Sequence, residues 1–325
     1  MINKIKNIFF LITILIILFC NVKLSAIEKN LSWLTSAGNN YSHRFFLGDQ
    51  INVDNIQNLE QVWIYNSGST SISHTVQSPP IFVDNQLFLV TLSGDLISLS
   101  PKTGKTLWKK KLSTPLGRRG FTYHKSDNPN ISGIYISSGE NVFHLNKDGK
   151  ILNKFFTGKS LLQTFVYKNK LYVSTLKQGV KALDIFSKKE IWSTNFKKGN
   201  VTPRVWSGFS FDEDTNSLFV VTSNPGGIIG KNRSGDDYSV SLISIDGNDG
   251  NIKWQYKHII NDVWDFDLIS NPIILINLKT IDKNDLVDSV IALSKTGDLI
   301  MVDIHTGEPI FDNSFLNINV EESKL

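Results

Sequence analysis

The chain has 325 residues, 41% of them hydrophobic and 20% charged, with a formal net charge of +4. That excess is mild and its Lys and Arg residues are scattered, which excludes nucleic acid as a partner class. The single cysteine, Cys20, excludes an intrachain disulfide framework.

In chain order, residues 1–26 stand apart. Lys4 and Lys6 precede an apolar run from Ile8 to Phe19, and Leu24-Ser25-Ala26 offers a small-residue cleavage site. These are the three parts of a secretory signal, so export to the periplasm with cleavage is expected, leaving residues 27–325 as one domain. The apolar run is too short to span a bilayer, and no stable transmembrane span is expected after cleavage. Bulky Phe19 before Cys20 argues against lipid attachment there.

One phrase then recurs: small-apolar-Asp-x-x-Thr-Gly-Lys-x-x-Trp. Near-copies begin at Ser98, Ala182, Ser244 and Met301, with a shortened one at His144. They end at Trp108, Trp192, Trp254, Phe311 and Asn153, and Trp63 reads as a further terminus. The termini fall roughly 40 to 60 residues apart, so the unit is one supersecondary element with loops of varying length.

The first full unit predicts strands over Pro80 to Val83, Gln86 to Thr91, Leu96 to Ser100 and Thr106 to Leu112. Between them lie Asp84-Asn85, Ser93-Gly94-Asp95 and Lys102-Thr103-Gly104, all turn chemistry. Four short antiparallel strands per unit, with a late Trp to pack on the next unit, predict an all-β propeller with about six blades present. One such sheet cannot bury both of its faces, so stability must come from stacking blade on blade.

From Ser32 on, the chain resembles the quinoprotein dehydrogenases that carry pyrroloquinoline quinone (PQQ), the glucose and alcohol dehydrogenase type. Three features carry the resemblance: the opening WLTSAGNNYSHRFFLGDQIN, the tryptophan-docking phrase, and the stretch from Val205 to Pro272. The resemblance implies an eight-bladed propeller of which this chain holds part, through a fragment, a truncated gene or a ring completed by another chain. It also implies oxidation of a sugar or alcohol by hydride transfer to PQQ, with a calcium ion beside the cofactor. Electrons would pass to a separate quinone such as ubiquinone, or to a cytochrome c.

The resemblance assigns roles one residue at a time. Trp206 would lie under the flat quinone, since an indole stacks well on a planar tricycle. Asn224, eighteen residues later, would help to hold calcium. Asp265, in Asp262-Val263-Trp264-Asp265-Phe266-Asp267, would be general base and second calcium ligand. Lys295 would reach the quinone oxygens, and Arg119, or its neighbour Arg118, would pair with a cofactor carboxylate. His258 is the only histidine near this set.

Two features of the resemblance are absent. Ser113 to Gly117 holds neither a vicinal disulfide nor a His to cover the second quinone face, and Val173 to Lys181 holds no acid for calcium. A calcium ion resting on fewer ligands should bind more weakly. Two other readings therefore remain beside the enzyme: a cofactor-free propeller scaffold of the cell envelope, and an inactive remnant.

Overall fold

The computed structural model describes residues 32–46, 48–68, 77–112, 119–160, 162–175, 179–197, 203–224, 238–260, 262–279 and 286–310. The expected signal segment, Ser113 to Gly117, Arg118 and the last fifteen residues lie outside them.

Among the described residues, nineteen strands form five separate antiparallel sheets. The first holds β1 (Ile81–Val83), β2 (Gln86–Val90), β3 (Asp95–Leu99) and β4 (Thr106–Lys111), close to the four predicted runs. Its β1–β2 turn uses Asp84 and Asn85 at φ 46° and 60°, the left-handed pair that a two-residue hairpin requires. The second holds β5 (Thr122–His124), β6 (Gly133–Ser138), β7 (Asn141–Leu145) and β8 (Ile151–Phe156). The third holds β9 (Thr164–Tyr167), β10 (Lys170–Thr175), β11 (Gly179–Asp184) and β12 (Glu190–Asn195). The fourth holds β13 (Ser210–Asp212), β14 (Ser217–Val221), β15 (Ser241–Asp246) and β16 (Ile252–Lys257). The fifth has β17 (Ile273–Lys279), β18 (Leu286–Leu293) and β19 (Leu299–Asp303). Trp spacing suggests about six units, and the structure gives five sheets; Trp63 belongs to an extended segment without a sheet of its own among the described residues.

Each sheet is a simple up-and-down meander, which has a topological consequence. Turns between second and third strands, and the connections from one sheet to the next, all emerge at the same end of the sheets. Turns between third and fourth strands emerge at the other end.

Among the described residues four apolar clusters make up the core, and each lies between two consecutive sheets. Phe88, Leu96, Phe121 and Ile136 join the first and second, and Tyr135, Phe155, Leu171 and Val173 the second and third. Phe165, Tyr172, Phe211 and Ile243 join the third and fourth, and Phe219, Leu242, Ile274 and Val290 the fourth and fifth. Stability thus comes from stacking, as the repeat implies. Inner strands such as β3 and β14 are buried on both faces, whereas outer β4 is largely exposed.

The repeat phrase builds the outer joints. In three sheets a small residue faces the Trp across the third and fourth strands: Ser98 with Trp108, Ala182 with Trp192, Ser244 with Trp254. A bulge follows each pair at once, and bulges re-aim side chains. The indoles reach the next sheet's turn, where Trp108 donates to Lys147 O at 2.8 Å and Trp254 to Ile304 O at 2.9 Å. Trp63 does the same at Pro101 O, 2.9 Å, the contact that the outer-strand Trp of each Trp-docked sheet makes with the sheet after it.

A non-repeating segment, Trp33 to His43, crosses the inner strands and touches every sheet. Trp33 bridges to Phe82, Thr35 to Thr122, and Ser36 donates to Gln163 at 2.6 Å. Asn40 O accepts from Phe211 N at 2.9 Å, and Tyr41 O from Ile274 N at 3.1 Å. No helix among the described residues is long and apolar enough to cross a membrane.

Candidate functional site

Every candidate residue among the described ones sits at one end of the sheets. Trp206 and Arg119 lie on connections between sheets, as do Asp265 and Asp267; Asn224 follows β14 and Lys295 follows β18, both in turns between second and third strands. The meander brings these loops to one face although they are far apart in sequence.

Two groups form there. In the first, Lys295 Nζ lies 2.9 Å from Asp265 Oδ2 and 2.9 Å from Asp267 Oδ2. Asn224 Nδ2 donates to Asp265 Oδ1, and the Asn224 backbone N–H donates to Asp267 Oδ1 at 2.5 Å. One amide and one ammonium thus span two carboxylates, leaving a net charge of −1. Burial pushes the Asp267 carboxyl above the usual carboxylate range, against the lowering effect of the Asn224 N–H and Lys295. Burial pulls the Lys295 ammonium down, but its two acid partners outweigh this and hold it above the ordinary lysine value.

The backbone explains why these groups meet. Lys295 N donates to Asp267 O at 3.0 Å, and Leu268 bridges to Ser294, so the Asp265–Asp267 loop is zipped to the Lys295 turn. Asp265 itself has φ 74°, a left-handed conformation uncommon outside glycine that Asp tolerates better than most, and such conformations cluster at functional positions. Asp262 fixes the loop by accepting from Trp264 N and Phe266 N, both at 3.0 Å. The Lys295 turn is fixed by Asp298, whose Oδ2 takes Ser294 Oγ and His258 Nε2, both at 3.1 Å. His258 therefore serves that turn rather than Asp265. Burial pulls its imidazole below the usual value, with Asp298 opposing.

In the second group, the Arg119 guanidinium lies over the Trp206 ring at 5.3 Å and that of Arg204 at 5.7 Å. Trp206 Nε1 is buried with no hydrogen-bond partner among the described residues. The groups are joined through the backbone: Val205 bridges to Thr222, and Ser223 N donates to Arg204 O at 2.8 Å, one residue before Asn224.

A cavity of about 580 Å³ opens next to Arg119 and Ser207, bordered also by Asn271, Gln77, Arg44 and Ser36. Ser207 Oγ is buried without a partner among the described residues, and so is the Nε2 of Gln163, which backs Ser36 and Asn271. Buried polar atoms left unpaired are costly, and in a cavity they point to a polar ligand. Sequence reasoning did not single out Asp267, Arg44 or Asn271. For the first the signal was available, as Asp267 lies two residues past Asp265 on the same loop.

The donors suit a planar, polyanionic ligand and a hard cation. A flat ligand on Trp206 would displace one guanidinium from the ring face and leave it at the ligand edge, where it can bind a carboxylate. A cation shared by Asn224 and Asp265 would need the Asn224 oxygen where its nitrogen now points, a turn about the Cβ–Cγ bond. The net negative charge of the first group favours such a cation. Among the described residues, no cluster of three or more His, Cys, Asp or Glu side chains forms a metal site by itself.

Comparison with known proteins identifies the family of the fold. A family profile described as PQQ, the β-propeller domain of glucose, ethanol and alcohol dehydrogenases, matches residues 33–159 and 194–318. Quinate/shikimate dehydrogenase (quinone) of Acinetobacter baylyi is 22% identical over 87% of this chain and 44% of its own length. Quinoprotein glucose dehydrogenase A of Acinetobacter calcoaceticus is 24% identical over 85% of the chain and 43% of its own. The crystal structure of quinohemoprotein alcohol dehydrogenase from Comamonas testosteroni superposes with a TM-score of 0.73 at 19% identity, over 86% of this chain and 48% of that one. The chain spans less than half the length of each of these proteins.

Proposed function

The chain belongs to the PQQ glucose/ethanol/alcohol dehydrogenase β-propeller family, and from that premise we propose that it is an exported dehydrogenase, dependent on PQQ and calcium, that oxidises a sugar or alcohol. The observation that carries this reading is the first group: Asn224, Asp265 and Lys295, three residues from three loops, in direct hydrogen-bond contact. A scaffold has no need for an Asp held between an amide and an ammonium.

Trp206, Arg119 and Lys295 would hold the cofactor, and Asn224 and Asp265 the calcium ion. When bound, PQQ supplies the hydride acceptor and calcium a Lewis acid suited to oxygen ligands. Asp265 accepts the substrate hydroxyl proton at Oδ1 or Oδ2. Lys295, 2.9 Å from Asp265 Oδ2, would present its charge to the cofactor oxygens. Asp267, whose carboxyl burial raises above the usual range, anchors Lys295 from the other side. Export to the periplasm and transfer of electrons to ubiquinone or a cytochrome c complete the proposal.

The test is dye reduction by purified protein mixed with PQQ and calcium. Asp265→Asn should lower substrate-dependent reduction by about 10²–10⁴-fold, the usual range for a lost general base. Unchanged turnover in that variant would remove Asp265 from the role.

A further inference from the structure

The turn that carries Lys295 is built twice in this chain. Thr91-Leu92-Ser93-Gly94-Asp95 joins β2 to β3 in the first sheet, and Ser294-Lys295-Thr296-Gly297-Asp298 joins β18 to β19 in the fifth. The same bonds close both. Asp95 N donates to Thr91 Oγ1 at 3.1 Å and Asp298 N to Ser294 Oγ at 3.0 Å, while Ser93 Oγ and Thr296 Oγ1 each donate to Oδ2 of the aspartate in their own turn. Thr91 N donates to Asp95 O at 2.9 Å, and Ser294 N to Asp298 O at 3.1 Å. The two turns differ in what else meets the aspartate. Lys109 Nζ lies 3.1 Å and Lys111 Nζ 3.8 Å from Asp95, both from β4 of the same sheet, whereas Asp298 Oδ2 has His258 Nε2 at 3.1 Å, from the segment after β16 of the preceding sheet. A carboxylate only accepts, so Nε2 carries the proton. The first sheet makes this turn with its own residues, so the turn does not need His258 to form.

His258 is tied on its other side to the loop that carries Asn224. Its N–H donates to Val240 O at 3.0 Å, and Val240 N donates to Ser223 O at 3.1 Å, next to Asn224. Val240 is fully buried at φ 44°, an outlier for a β-branched residue that only a firmly held backbone keeps. The Asn224 loop and the Lys295 turn, from different sheets, are thus linked twice: through Asp265 and Asp267, and through Val240, His258 and Asp298. We infer that His258 is a positioning residue for the proposed reaction: by holding Asp298 it sets the Lys295 ammonium against the Asn224 amide, the two groups that meet at Asp265. This rests on the dehydrogenase reading and adds to it a residue that acts through another. The His258 side chain is only 12% exposed and its acceptor is charged, so the bond is stronger than one between neutral groups. A shift of about 1 Å in an aligned group can cost about 10²-fold in rate.

The experiment compares purified wild type with His258→Ala, His258→Gln and Val290→Ala by two measurements. The first is amide hydrogen exchange, read by NMR on the cofactor-free chain. In His258→Ala the Asn224 and Lys295 amides should exchange about 10- to 100-fold faster, the effect of losing one bond to a charged acceptor, while the Asp95 amide of the equivalent turn keeps its rate. The second is dye reduction with PQQ and calcium, in which kcat should fall about 10- to 100-fold in His258→Ala and the substrate KM change by less than about threefold. His258→Gln, whose side-chain amide can still donate to Asp298, should recover most of both. Val290→Ala loosens the cluster that joins the same two sheets and should lower stability without a comparable fall in kcat. Unchanged exchange at Asn224 and Lys295 in His258→Ala, or unchanged kcat in an active enzyme, overturns the inference. So does faster exchange that extends to Asp95, or an equal loss of kcat in Val290→Ala, either of which would make His258 a residue of general stability. Failure of the dehydrogenase reading looks different: wild type then reduces no dye with PQQ and calcium, and exchange in the cofactor-free chain still decides whether His258 holds the two loops together.

Discussion

The junction between the second and third sheets differs from the other three, and the contrast shows what the repeat phrase is for. At the Trp junctions a glycine in the receiving turn lies beneath the indole. A Cβ on Gly149 would come within 2.8 Å of Trp108, on Gly250 within 2.6 Å of Trp192, and on Gly307 within 2.7 Å of Trp254. At the exceptional junction Asn153 replaces the Trp, and Lys188 replaces the glycine. Lys188 keeps the turn, with φ 61° and its N–H on Asp184 O at 2.8 Å. Glycine is therefore imposed by the ring above it, and both halves of the device are missing together. Across the strands the sizes are exchanged too. His144, the large member, faces Asn153 where the other sheets place Ser98, Ala182 or Ser244 opposite a Trp. His144 is fully buried, stacks on Tyr135 at 4.3 Å, and accepts from Asn153 at 3.4 Å while Nε2 meets Ser132 O at 3.2 Å.

The largest effect that tests this contrast is truncation of a docking ring. Trp192 is 6% exposed and belongs to the cluster joining the third and fourth sheets. Trp192→Ala should remove about 3–5 kcal/mol from urea unfolding, as large-to-small core changes do. Asn153→Ala should remove about 1 kcal/mol, one hydrogen bond to His144. Comparable losses at both sites would mean that the two junctions do not differ in kind.

Acid should distinguish them next. Burial lowers the His144 pKa from 6.5 to about 4, with the Ser132 carbonyl opposing and His124 assisting. The unfolded chain then binds the proton more readily than the folded one, so stability is full above pH 6.5 and falls as pH drops toward 4. The loss amounts to about 3 kcal/mol. His144→Gln should flatten that limb of the stability curve between pH 6.5 and 4. His124, also lowered by burial, would leave a smaller residual slope. An unaltered slope would show that His144 does not titrate there.

The same contrast sorts what could be read in advance. Strand boundaries in the first sheet follow the predicted runs within a residue or two, because Asp84-Asn85 and Lys102-Thr103-Gly104 are turn residues whatever surrounds them. Asn224, Asp265 and Lys295 were legible as a set only through the family resemblance; the up-and-down order of the strands is the physical reason their loops share one face. Arg44 was not legible as a cavity residue, since Trp33 to His43 carries no period and its route across five sheets is set by contacts far apart in sequence. The junctions that flank Asn224, Asp265 and Lys295 are both Trp-docked, and the exchanged one lies away from them.

The smallest effects test the glycine argument directly. At Gly250, φ 79° and a ring 2.6 Å from any Cβ act together, so Gly250→Ala should destabilise by about 2 kcal/mol or more. At Lys188 nothing of the kind overlies the turn, and a side chain at φ 61° only strains the backbone. Lys188→Gly should therefore stabilise by up to about 1 kcal/mol, offset in part by the greater freedom of glycine in the unfolded chain. Opposite signs at equivalent positions of one repeat are the signature of a ring-imposed glycine. If both substitutions destabilise, the turn needs its residues for reasons unrelated to the indole.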